Sequence, residues 1–372
     1  MPNNQSRRDF LQKISGGLTL ASLAGPGAFA LKTNRLPKDT KKLGVALVGL
    51  GSYAKNQLAV ALEKTTNCYL AGIVTGTPAK ADEWSKKYNL DKKNIYNYQN
   101  FDEIAKNKNI DIVYVVLPNS MHKEFVVRAA KAGKHVMCEK PMSTSVKDAE
   151  DMIQACKDAN VQLGIGYRMH FEPFTKEVIR QCREKVIGDV RFIQTNFGFT
   201  IGDPAQWRLK KAMAGGGPLM DVGIYCVQAS RYVTGEEPLS VTAQYGPVTE
   251  PGIFKDVEQS VSWQLEFPGH ATVNGFSSYR SNIEQLYVSA TKGWIQLGPA
   301  YGYGPIKGST NAGLLNLPVV HHQTVMLEEI CKSFLESGKF PEHITGPEGL
   351  KDMKILMSIY EAAATGKKIS LV

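Results

Sequence analysis

Val45-Ala46-Leu47-Val48 is a strand-length apolar run that passes directly into Gly49-Leu50-Gly51-Ser52-Tyr53-Ala54, after which Ala54, Leu58, Ala61 and Leu62 repeat at helical spacing. A G-x-G-x-x-A turn between a strand and a helix restricts the fold strongly. Its glycines let backbone approach a pyrophosphate, and the helix dipole favours negative charge there. Such turns also occur as plain strand-to-helix connections, so the weight falls on the elements downstream. A strand over Tyr69 to Thr75, a helix opened by Pro78, a strand over Asp111 to Leu117 and a helix over Lys123 to Lys131 come next. A strand over His135 to Glu139, a helix over Val146 to Asn160 and a strand over Gln162 to Gly166 continue the alternation. This order predicts an α/β fold, a Rossmann-type doubly wound parallel sheet with helices on both faces.

In such a sheet Gly49, Leu50, Gly51, Ser52 and Tyr53 are expected to line the phosphates of a dinucleotide. An acidic residue ending the second strand would bond the adenosine ribose and repel a 2′-phosphate, yet no Asp or Glu occurs between Lys64 and Ala81. Thr75, Gly76 and Lys80, in Thr75-Gly76-Thr77-Pro78-Ala79-Lys80, instead offer a hydroxyl, open backbone and a cation, which favours NADP over NAD. The plainer alternative makes Lys80 one more solvated helix lysine. Open α/β sheets bind ligands at the carboxyl ends of their strands. Two of those ends carry unusual polar sequences, so Leu117, Pro118, Asn119 and His122, and likewise Glu139 and Lys140, are expected to border the nicotinamide. Pro141 biases Lys140 toward extended backbone. A lysine held there can grip a substrate hydroxyl, although alone it would read as an ordinary surface lysine.

Further along, Gly215-Gly216-Gly217-Pro218 opens a helix with proline in its first turn. Asp221 and Tyr225 lie four apart and project from one face, while Leu219, Val222 and Cys226 cover another. A carboxylate and a phenol beneath a glycine-rich loop can hold and deprotonate an alcohol, and a nearby lysine favours the phenolate. The alternative from this segment alone is that Asp221 is a helix-terminus charge and Tyr225 belongs to the core.

Gly49-Leu50-Gly51, Glu139-Lys140-Pro141, Tyr167-Arg168, Trp207-Arg208 and Gly216-Gly217-Pro218 through Tyr225 together resemble the glucose-fructose oxidoreductase, inositol dehydrogenase and MocA family, in order from about Gly44 to Val372. The resemblance implies that Lys140, Asp221 and Tyr225 form the catalytic group and that Arg168, Trp207, Arg208 and Tyr303 lie near cofactor and substrate. Tyr225, the Thr75 to Lys80 run and the amino-terminal segment are most similar to the exported glucose-fructose oxidoreductase branch. That branch implies a retained NADP recycled by a second sugar. The segment Leu31 to Leu43 departs from the branch's long proline-rich arm, having one proline, Pro37.

Residues 1–30 resemble a twin-arginine export signal, with Arg7-Arg8, an apolar stretch broken by glycines, and Ala28-Phe29-Ala30 as cleavage site. This places the mature protein in the periplasm, exported folded. Residues 31–43 are expected to form an arm, 44–165 the dinucleotide domain, 166–345 an α+β substrate and oligomerisation domain with a large, mostly antiparallel open sheet, and 346–372 a helix returning to the first domain. Val190 to Phe199, Leu239 to Gln244, Asp256 to Phe267 and His270 to Ser278 read as strands of that sheet, which the family uses for dimer contacts. A homodimer or homotetramer is expected. The formal charge of +9 resides mostly in the first 43 residues, leaving +3 from Gly44 onward, so no nucleic-acid partner is expected. No span suits a membrane in the mature form. The six cysteines lack metal spacing and read as buried thiols, and His321-His322, whose side chains point apart, suits a structural or substrate-rim role better than metal. The chain is expected to be a sugar oxidoreductase that moves hydride between a sugar carbon and nicotinamide. A redox-neutral glycosidase using NAD(P) and a non-enzymatic sugar or nucleotide sensor are the alternatives.

Overall fold

The computed structural model describes residues 41–372; the expected export signal, 1–30, and residues 31–40 of the expected arm lie outside the described residues. The first strand, β1 (Leu43–Val48), is buried along its whole length, as befits a strand covered on both faces. It leads through the glycine turn into a wide helical turn, Ala54–Leu58, and α1 (Ala59–Lys64). Then come β2 (Cys68–Val74), α2 (Pro78–Tyr88), β3 (Ile95–Tyr96), β4 (Ile112–Val115), α3 (His122–Lys131), β5 (His135–Cys138), α4 (Val146–Asp158) and β6 (Leu163–Ile165). α2 begins on Pro78 and stops at Asn89, which takes a left-handed conformation. α4 is capped by the Ser145 hydroxyl, which accepts from the Asp148 N–H. The six strands pair in parallel in the order β3-β2-β1-β4-β5-β6. The order reverses between β1 and β4, and a ligand crevice forms at such a switch point.

The second domain contains α5 (Pro173–Arg183), β7 (Val190–Gly198), α6 (Lys211–Ala214) and a second wide helical turn, Leu219–Gly223, that runs into α7 (Ile224–Thr234). It continues with β8 (Ser240–Tyr245), β9 (Ser260–Glu266), β10 (Thr272–Ser278), β11 (Ile283–Ala290), β12 (Gly293–Leu297), β13 (Gly308–Thr310) and β14 (Gly313–Leu314). The chain closes with α8 (His322–Ser337), α9 (Gly346–Thr365) and β15 (Ile369–Ser370). Nine strands pair in the order β14-β13-β12-β11-β7-β10-β9-β8-β15, and only the β7–β10 pair is parallel. β9 alternates: Val261, Trp263 and Leu265 are buried, while Ser262, Gln264 and Glu266 face outward. The Phe267-Pro268-Gly269-His270 turn closes with the His270 N–H donating to the Phe267 carbonyl, with His270 left-handed. Gly275 is required beside Trp263, since a Cβ there would come within 2.1 Å of the indole.

α9 binds the domains together, packing on α4 of the first and on α7 and β8 of the second. Arg231 of α7, 5% exposed, is enclosed by the carboxylates of Glu237, Glu348 and Asp352, the last two from α9. One continuous apolar core runs through both sheets. Among the described residues no helix is long and apolar enough to cross a membrane.

Candidate active site

A cavity of about 760 Å³ opens at the carboxyl ends of β1 and β4 and reaches across to α7. At one end it is lined by Thr75, Thr77, Lys80 and Tyr98, in the middle by Gly49 to Ala54, and at the other by the polar residues expected near the nicotinamide. The glycine turn has the shape phosphates need. Gly49 has φ +95°, and a Cβ on it would sit 2.5 Å from the Val116 carbonyl, so the turn tolerates no side chain there. A Cβ on Gly51 would meet nothing within 4 Å and would project into open space. The close turn and the open cradle beside it fit a dinucleotide pyrophosphate at a helix start. Lys80 donates from Nζ to the Leu50 carbonyl at 3.1 Å, which holds its cation on the cavity wall beside the Thr75 end.

Leu117, Pro118, Asn119, Glu139, Lys140, Arg168, Trp207, Arg208, Asp221, Tyr225 and Tyr303 also line this cavity. Two expected residues do not. His122 is fully buried, its ring nitrogens 2.8 Å from the Leu117 carbonyl and 3.0 Å from that of Pro141. It clasps the two strand-end loops from behind and cannot touch a nicotinamide. Gly76 lies beneath the Tyr98 ring, which stands 2.8 Å from where its Cβ would be, so Tyr98 forms the wall there.

Lys140 donates from Nζ to the Asp221 backbone carbonyl at 2.6 Å, approaches Asp221 Oδ1 at 3.6 Å and lies 4.8 Å from the centre of the Tyr225 ring. Asp221 Oδ2 accepts from Arg208 Nε at 3.1 Å and from the Tyr279 hydroxyl at 3.2 Å. Burial opposes the Asp221 charge, yet Arg208 and Lys140 together hold its carboxyl below the usual carboxylate range. The start of this segment is fixed by Glu258, whose carboxylate accepts from the N–H groups of Gly217 at 2.9 Å and Leu219 at 3.1 Å and from the Tyr360 hydroxyl at 2.8 Å. Burial raises the Glu258 carboxyl above its ordinary value. Glu139 is likewise raised by burial and takes a 2.6 Å hydrogen bond from Tyr114.

Arg168 is 2% exposed. Its Nε points at the Tyr225 hydroxyl oxygen at 3.3 Å, and its guanidinium carbon lies 5.0 Å from the Tyr225 ring centre and 4.8 Å from that of Tyr303. Glu284 holds the Tyr301-Gly302 backbone by accepting from both N–H groups, and so fixes the loop that carries Tyr303 into the site. Tyr98, Tyr279, Glu258 and Glu284 carried no sequence signal, because each comes from a loop or strand whose part is set by tertiary contact. Phe197 and Phe199, at the end of β7, also line the cavity, where the end of a predicted strand could have flagged them.

A phosphate cradle on a Rossmann sheet, facing a lysine, a carboxylate and a phenol across one cavity, defines a dinucleotide-dependent oxidoreductase. The first domain, residues 43–167, matches the model of the Gfo/Idh/MocA oxidoreductase family with NAD-binding Rossmann fold, and residues 175–296 match that family's C-terminal domain. The chain belongs to this family and is an NAD(P)-dependent oxidoreductase. It is similar to the D-xylose 1-dehydrogenase (NADP(+)) of Haloarcula marismortui, 29% identical over 336 residues that cover 88% of this chain and 92% of that protein. It is 32% identical to the trans-1,2-dihydrobenzene-1,2-diol dehydrogenase of Xenopus laevis over 65% of this chain and 70% of that one. Among solved structures, the aldose-aldose oxidoreductase from Caulobacter crescentus complexed with glycerol superposes with TM-score 0.85 at 41% identity, covering 89% of this chain and all of that chain.

Proposed function

We propose that the protein oxidises and reduces sugars at CH–OH carbons with NADP, as an exported member of the glucose-fructose oxidoreductase branch. The observation that carries this reading is the convergence of Lys140, Asp221 and Tyr225 at the end of the cavity opposite Thr75 and Lys80. The sugar chemistry is supported by the xylose dehydrogenase and aldose-aldose oxidoreductase likenesses, and the choice of NADP by Lys80 and the absence of an acidic residue at the end of β2.

The glycine turn, Thr75, Thr77 and Lys80 would hold the dinucleotide, and Leu117, Pro118 and Asn119 would border its nicotinamide. When bound, nicotinamide supplies the hydride acceptor or donor. The chain's residues do the rest. Lys140 and Asp221 orient the reacting hydroxyl, and Tyr225 takes its proton during oxidation or returns it during reduction. The Arg168 and Lys140 charges stabilise the oxygen left negative by that transfer. Phe197, Phe199 and Trp207 enclose an apolar sugar face in a partly water-excluded pocket.

Export folded, directed by Arg7-Arg8, accounts for a retained cofactor: a periplasmic enzyme has little free NADP to draw on and regenerates its own with a second sugar. The outward face of the nine-stranded sheet is the proposed homodimer surface. Across β8, β9, β10 and β7 it presents Thr242, Gln264, Asn274 and Gln194 in one register row, uncharged amides and a hydroxyl that can pair with a second copy.

The test is to purify the protein from its exported form and record the nicotinamide absorbance before and after adding D-xylose, then an acceptor aldose. The expected result is co-purified NADP that becomes reduced by the first sugar and is reoxidised by the second. A protein that arrives without nucleotide and leaves added NADP unchanged with every aldose overturns the reading.

A further inference from the structure

His321, His322 and Gln323 begin α8 far from the Rossmann turn in sequence, yet each touches the site from behind. His321 Nε2 lies 3.1 Å from Gln57 Oε1, Gln323 Nε2 donates to the Tyr53 hydroxyl at 3.4 Å, and His322 Nδ1 lies 2.7 Å from an Arg168 terminal nitrogen. Three consecutive residues therefore tie the cofactor turn and helix to the arginine beneath Tyr225.

The surroundings of Arg168 are unusual for a buried cation. Its partners are the Tyr225 hydroxyl, the carbonyls of Tyr301 and Gly302, the Met169 sulfur and His322. Among the described residues no carboxylate comes within ion-pair distance of it: Asp221 pairs with Lys140 and Arg208, and Glu139, bonded by the Tyr114 hydroxyl and raised by burial, meets Arg168 only through space. A buried guanidinium is ordinarily paired with an acid, because desolvated charge is costly. Here neutral acceptors satisfy the N–H groups and leave the positive charge unneutralised, with Nε directed at the phenol oxygen. An arginine donates at every nitrogen, so His322 accepts through Nδ1 and carries its own proton on Nε2. Burial, with Arg168 beside it, favours the neutral imidazole that this bond needs.

We infer that His322 is a positioning residue for the hydroxyl chemistry: as a neutral acceptor it holds Arg168 with its undiminished charge aimed at Tyr225. The inference rests on Tyr225 being the group that moves the substrate proton. An acid at position 322 would also anchor Arg168, but it would cancel the charge. An apolar residue would leave a guanidinium N–H unsatisfied and the side chain free to swing.

The test compares His322→Asn, His322→Asp and His322→Leu, three side chains of one shape, with Tyr225→Phe alongside. Each is assayed with D-xylose and an acceptor aldose for kcat and KM, and, after its nucleotide has been stripped, for NADPH binding by fluorescence, once thermal unfolding has shown that it is folded. His322→Asn, which keeps a neutral acceptor, is expected within about threefold of the parent kcat. His322→Leu and His322→Asp are expected to lose about tenfold or more in kcat, with KM and NADPH affinity changed about twofold or less. Parent-like kcat in folded Asp and Leu variants overturns the inference, as does an Asn variant no better than Leu. If Leu does not fold, the Asn and Asp pair decides alone. An active Tyr225→Phe sinks the reading of Tyr225 itself, whereas an inactive one beside a fully active His322→Asp sinks only the role of His322.

Discussion

At the scale of single residues, Lys140 serves two partners at once: it anchors the Asp221 backbone and lies over the Tyr225 ring. Lys140→Ala is expected to lower turnover by about three orders of magnitude, the range for removing a group that orients proton transfer, while NADP binding persists. Steady-state kinetics paired with fluorescence titration of the nucleotide read the two effects separately, and a variant with most of its activity removes Lys140 from the mechanism. His322 makes a prediction about stability. Burial, with Arg168 and His321 facing it, pushes its imidazole down to about 3, below the ordinary value of about 6.5. Between those values the unfolded chain binds a proton that the folded protein does not, so His322 makes stability fall as pH drops below about 6.5. Parent protein is expected to lose about 2 kcal/mol more than His322→Asn between pH 7 and pH 5, measured by urea unfolding. Equal losses in the two proteins contradict it. Lys140, Asp221 and Tyr225 were visible in the sequence because turn glycines and proline mark their positions. Glu258 and Glu284 were not, because a carboxylate that accepts backbone N–H groups from a distant loop looks like any surface acid until the chain is folded.

At the scale of elements, the β1–α1 turn separates fold from ligand. Gly49→Ala would strain a left-handed backbone and clash with Val116, but a methyl on Gly51 meets no protein atom. Gly51→Ala is therefore expected to leave the melting temperature within about 2 °C, since no contact is lost, and to weaken NADP binding by about tenfold or more through occupation of the phosphate cradle. Calorimetry with the nucleotide and a thermal melt without it check both halves. The strands and helices of the first sheet were legible because each buried strand is a continuous apolar run and each helix has its own start and stop signals. β3, with only Ile95 and Tyr96, is too short to leave a pattern. β11 and β12 escaped because their polar and apolar residues are interleaved with site residues and with an outward face that carries Gln285, Tyr287 and Gln296. α8 begins with two histidines and has no side-chain cap, so its start is set by the residues it touches.

For the whole molecule, the Arg231 network ties α7 to α9, the helix that packs on both domains. Arg231 reaches Asp352 and Glu348 across α7 and α9, and Asp352 is fully buried and also accepts from Gln228 at 2.8 Å. Arg231→Met leaves that carboxylate uncompensated and is expected to cost about 3–5 kcal/mol in denaturant unfolding, whereas the double change with Asp352→Leu recovers most of the loss. A single change that costs under about 1 kcal/mol would show that the network is dispensable. The two domains could be told apart because the regular strand-helix alternation ends at β6 and, after α7, the strands β8 to β14 follow one another without a helix. The closure of one on the other could not, since it depends on α9 meeting α4, α7 and β8 together. That closure orders events in time. Residues 346–372 come after everything they pack against, so β8 lacks its β15 neighbour, and Arg231 two of its acids, until synthesis has passed them. A chain that stops before these residues keeps β8 as an open sheet edge and leaves Arg231 with Glu237 alone of its three acids.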